Sequence, residues 1–100
     1  MAEVYFNEFR MLVIEQIRVI EQNRPETHST EWFLLKYLRR IEKNALPPAS
    51  PGRMENCMRA LIRFYVDCID ENTEIGERCK MIYEGYRKTL REAQTKKQNY

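Results

Sequence analysis

The feature that most constrains this chain is the apolar pattern of residues 3 to 23. Phe6, Phe9, Val13, Ile17 and Ile20 recur at the spacing of one helix face. A second line, Tyr5, Leu12 and Val19, repeats every seven residues beside the first. At about 100° per residue the two lines merge into an arc wider than half the circumference. Glu8 and Glu15 lie opposite. One neighbour cannot cover so wide an arc. The helix takes either a central place in a bundle or a surface kept for a partner.

Three further helices follow from the breaks in the chain. "NRPETHST" interrupts the pattern: Pro25 ends helix one, and Ser29 or Thr30 offers an N-cap. Helix two is expected from about Glu31 to Asn44, with Leu34, Leu38 and Ile41 inward. "ALPPASPGR" is a linker, with Ser50 as a cap and Pro51 in the first turn of the next helix. Helix three, over 52–70, is the most apolar segment, from Met54 and Cys57 through Leu61 and Tyr65 to Ile69. Its broad face predicts the core helix. Helix four, over 74–95, has a thin stripe of Ile75, Cys79, Ile82, Tyr86 and Ala93, with Leu90 at its edge, and is expected at the periphery.

With only 3 Gly and 4 Pro the chain has few other helix breakers. The expected fold is all-α, a compact helical bundle of about four helices. Residues 1–95 form a single helical domain and 96–100 a flexible polar tail. "DENTE" at 70–74 leaves an alternative, because it contains cap residues but neither Gly nor Pro. The stripes on either side are nearly in phase, with Asn72 on the seam, so helices three and four could fuse into one long helix in a dimer. Asn72 and Thr73 followed by Glu74 suit a helix start and favour the turn.

The residues offer little for chemistry. His28 is the only histidine, and a zinc site would need Cys57, Cys68 and Cys79 gathered around it from a distance. Those thiols are expected to be small apolar core residues. No metal and no cofactor are expected. His28 and Ser29 are neighbours without a third group to make a triad. The acidic pairs Asp70–Glu71 and Glu74–Glu77 suit the positive end of a helix dipole, and no glycine-rich phosphate loop is present. The chain is therefore not expected to be an enzyme. Three cysteines, an odd number, point to reduced thiols in the cytoplasm. No signal-peptide pattern opens the chain, and apolar runs such as "MLVI" and "WFLL" are too short to span a bilayer.

One stretch remains, "WFLLKYLRRIEK". Lys36, Arg39, Arg40 and Lys43 occur at i, i+3, i+4 and i+7 and share one side of helix two. Trp32 projects onto the same sector, and Phe33 and Tyr37 flank it. Cations beside a stackable ring suit phosphates and single-stranded bases. They suit an acidic protein surface equally well. The net charge of +2 makes no global case for nucleic acid.

Elimination leaves a small non-catalytic protein-binding module: an adaptor, inhibitor or regulatory subunit that occupies a partner surface. Nucleic-acid binding through the basic-aromatic face of helix two is the alternative. Two faces are candidates. Tyr5, Leu12 and Val19 of helix one would meet a partner or, in a homodimer, a second copy. Trp32, Lys36, Tyr37, Arg39, Arg40 and Lys43 would orient an acidic one.

Overall fold

The structure, a computed structural model, describes residues 6–98, with side chains through 93. The regular elements among them are four helices: α1 (Asn7–Gln22), α2 (Thr30–Asn44), α3 (Pro51–Cys68) and α4 (Glu74–Gln98).

Short polar contacts start three of them. The Ser29 hydroxyl accepts from the Trp32 amide at 3.2 Å, and the Ser50 hydroxyl from the Arg53 amide at 3.3 Å. Thr73 Oγ1 accepts from the Gly76 amide at 3.1 Å and donates to the Asp70 carbonyl at 2.6 Å. Helix α1 starts without a side-chain cap, but its N-cap residue Phe6 is buried. Apolar anchoring takes the place of a polar cap there.

The turn at 70–74 rules out the fused long helix. Asp70 Oδ1 accepts from the Asn72 amide at 2.9 Å, and Asn72 is an exposed turn residue rather than part of a seam. At the other end, α4 continues to Gln98, where a polar tail was expected from residue 96. Residues 99 and 100 of that tail lie outside the described residues.

Helix α1 packs against both α2 and α4, α2 also packs against α3, and α3 meets α4 only narrowly. The ring α4–α1–α2–α3 is thus closed along three seams and open along the fourth. The wide arc of α1 now has its reason. Phe9, Val13, Ile17 and Ile20 are all buried between two neighbours. Close approach of α4 is allowed by Gly85, where an added Cβ would stand 2.6 Å from Leu12 Cδ2. Register along this seam is held by buried Gln16, whose Oε1 accepts from Arg78 at 2.7 Å and whose Nε2 faces Met81 Sδ at 3.7 Å.

Helix α3 is not the core helix its composition predicts. Met54, Cys57, Met58 and Leu61 are buried, but Phe64, Tyr65 and Ile69 are only half-buried and Val66 is 71% exposed. Only α2 covers it fully, so the broad apolar face outruns its neighbours. Cys68 corrects the reading of the thiols for the same reason. It shares the face of buried Cys57, yet lies at the uncovered end of α3 and is exposed.

Candidate functional site

Of the apolar edge expected on helix one, Leu12 packs against the core. Leu12 is half-buried and reaches Gly85 on α4, and Val19 is half-buried. Tyr5 lies outside the described residues.

The basic stripe of α2 is where the spacing puts it. Lys36, Arg39, Arg40 and Lys43 are all exposed. Its partners come from outside α2 as well as from within it. Arg39 pairs with Glu21 of α1 at 3.2 Å. The Lys36 ammonium sits 4.0 Å from the Trp32 ring centre, a cation–π contact. His28 and Phe33 meet the same indole edge-on, with centroids at 4.8 and 5.0 Å. Tyr37 stacks on Phe64 at 4.8 Å, which makes it a link between α2 and α3 rather than a free flank of the stripe. Arg40 and Lys43 remain as the stripe's cations in solvent. Arg40 also acts inward, partly offsetting the burial that pushes the Cys57 thiol up.

The open seam forms a groove of about 240 Å³ between α3 and α4. Leu61, Ile62, Tyr65 and Val66 line one side, Cys79 and Tyr83 the other. The Cys79 thiol is pushed up to about 11 by burial, so at neutral pH it is an uncharged, unreactive part of the floor. Lys80 sits at the rim, 3.6 Å from Glu77. Arg87 lies over the Tyr83 ring at 5.9 Å.

Sequence reasoning missed this groove, although a signal existed. The broad apolar face of helix three exceeds what the thin stripe of helix four can cover. One of the two must leave apolar surface in solvent.

A second cleft, of about 590 Å³, lies at the end of the bundle where the α1–α2 loop meets the start of α4. Arg24 and Arg78 alternate there with Glu26, Glu31 and Glu74, so the charges offset one another. Among the described residues, no group of three or more His, Cys, Asp or Glu side chains is placed to hold a metal ion. No described helix is long and apolar enough to cross a membrane. Comparison with protein-family models, curated proteins and solved structures finds no match for this chain.

Proposed function

We propose that this chain is a small non-catalytic protein-binding module, an adaptor, inhibitor or regulatory subunit, whose groove between α3 and α4 receives a helical segment of another protein. One observation carries the reading: the fourth seam of the ring is open and apolar, with Val66 71% exposed beside Ile62, Tyr65 and Tyr83. A helix laid there would do for α3 and α4 what α1 does for α2 and α4. Burying one such aliphatic side chain contributes about 1.5–3 kcal/mol. The groove is smaller than the roughly 300–1,000 Å³ typical of small-molecule sites. It suits side-chain anchors better than a cofactor.

Arg40 and Lys43 on α2 support an acidic partner, since solvent-facing cations raise the rate of encounter. Nucleic-acid binding through α2 draws less support. Lys36 and His28 already occupy the surroundings of Trp32 that a stacked base would need. Three free thiols support a reducing, cytoplasmic setting.

The test is a selection of displayed peptides on the full chain, counter-screened on Val66→Glu. Peptides with a helical apolar stripe are expected, binding the variant more than about tenfold more weakly. Peptides that bind both proteins equally would sink the reading.

A further inference from the structure

Resting on that reading of the groove, we infer that a second copy of the chain covers its outer lip. The two copies meet α3 against α3 in an antiparallel two-fold contact, and a partner helix must displace it. The order of charges along α3 carries the argument. Arg59, Arg63, Val66 and Asp67 stand at i, i+4, i+7 and i+8, an outward stripe about 12 Å long, and all four are exposed. The cations occupy its N-terminal half. The acids take its C-terminal end, where exposed Asp70 and Glu71 follow Asp67 into the turn. Arg59 is held by Glu55 at 2.9 Å, whereas Arg63 and Asp67 enter no ion pair among the described residues. The α4 side of the groove is mixed as well, with Glu84 one turn from Arg87. The border therefore favours neither an acidic nor a basic partner. It fits a surface with the opposite order of signs, and α3 itself is that surface when turned end for end.

A two-fold interface presses one patch against its own copy. With the axis level with residue 65, Arg63 of each copy meets Asp67 of the other, so the pairing is made twice. Arg59 then lies toward the acidic turn at 70–71. A parallel contact would set Arg63 on Arg63 and Asp67 on Asp67, and like charges so placed oppose association. Val66 stands about 1.5 Å along the helix from that axis. The two Val66 side chains, each 71% exposed in the single chain, thus meet at the centre of the contact. One helix face per copy covers less than the roughly 1,200 Å² of a stable complex. The dimer is consequently weak and readily exchanged. Because it takes up Val66, the second copy and a partner helix compete for the same lip of the groove.

The experiment measures the solution mass of the full chain by sedimentation equilibrium over a concentration series. The parent is expected to move toward twice the monomer mass as concentration rises. Arg63→Asp and Asp67→Arg should each weaken that association at least about tenfold, since each reversal acts twice across the axis. Mixed one to one, the two variants should associate again, because one offers only acids at these two positions and the other only cations. Their helical circular dichroism should match the parent's. A synthetic helical peptide with a leucine stripe should move amide NMR signals of residues 61–66 and 79–83 in the Arg63→Asp chain. The same peptide should shift the parent from dimer to monomer.

A parent that stays monomeric, or a dimer that ignores both reversals, overturns the inference; peptide binding at the groove of the Arg63→Asp chain then leaves the groove reading standing. A dimer that follows the charges while no peptide moves the groove signals overturns the groove reading and the competition with it. Peptide bound at the groove of an intact parent dimer overturns the competition alone.

Discussion

All three glycines lie in helices, none has a positive φ, and a helical glycine is about 0.5–1 kcal/mol worse than alanine. Sequence alone therefore predicts that each Gly→Ala change stabilises the protein. The surroundings divide the three. At Gly52 an added Cβ meets nothing nearer than Ser50 Oγ at 3.9 Å, so Gly52→Ala should stabilise by about 0.5 kcal/mol. At Gly76 the same atom would stand 2.5 Å from the Asp70 carbonyl oxygen and 2.9 Å from Glu71 Cα. Those are backbone atoms of the α3–α4 turn, held by the Thr73 hydroxyl on Asp70, and they cannot yield as a side-chain tip can. Overpacking of this kind costs about 1–3 kcal/mol. Set against the propensity gain, Gly76→Ala should destabilise by about 1–2 kcal/mol. Gly85 is intermediate, since its nearest obstacle, at 2.6 Å, is the end of the Leu12 side chain. Gly85→Ala should be close to neutral alone and stabilising in a Leu12→Ala background. Urea denaturation reads all of this. At a slope of about 2 kcal/mol per molar, the Gly76→Ala midpoint should fall by about 0.5–1 M. A midpoint equal to or above that of the parent would refute the reasoning.

Arg78→Ala should cost about 1–3 kcal/mol, because it takes the 2.7 Å donor away from the buried Gln16 amide; a urea midpoint within error of the parent would count against that role. Under native conditions at neutral pH, iodoacetamide should label Cys68 alone, with Cys57 and Cys79 reacting only on unfolding, as followed by intact-protein mass. Burial raises the Cys79 thiol from 9.0 to about 11, so the folded chain keeps a proton that the unfolded chain releases. That contribution is fully present below about pH 9 and is lost as pH rises through about 11; Cys79→Ala should flatten the decline in urea midpoint over that window. The Cys57 thiol and the Tyr86 hydroxyl, both raised by burial, act in the same direction and leave a residual slope.

The parts of this protein legible in its sequence are those decided within a few residues. The caps at Ser29, Ser50 and Thr73 each join a side chain to an amide three positions on, so both partners lie within one helical turn of sequence. Helix one's buried face follows from spacing alone, and so does the exposure of Lys36, Arg39, Arg40 and Lys43. What the stripe touches was not legible. Glu21 reaches Arg39 across 18 positions, and Tyr37 finds Phe64 on another helix.

Rank within the bundle was likewise hidden. Helix three has the richer apolar composition, but composition does not count neighbours. Alternation of apolar and polar residues says which face of a helix avoids water. Only the assembled ring says whether another helix arrives to cover it. Helix α1 received two neighbours, while the second half of α3 was left beside an open seam. Hydrophobic burial is proportional to area and indifferent to which residues supply it. The four helices and their inward faces thus follow from the sequence, whereas the groove between α3 and α4 exists only because of the order in which they pack.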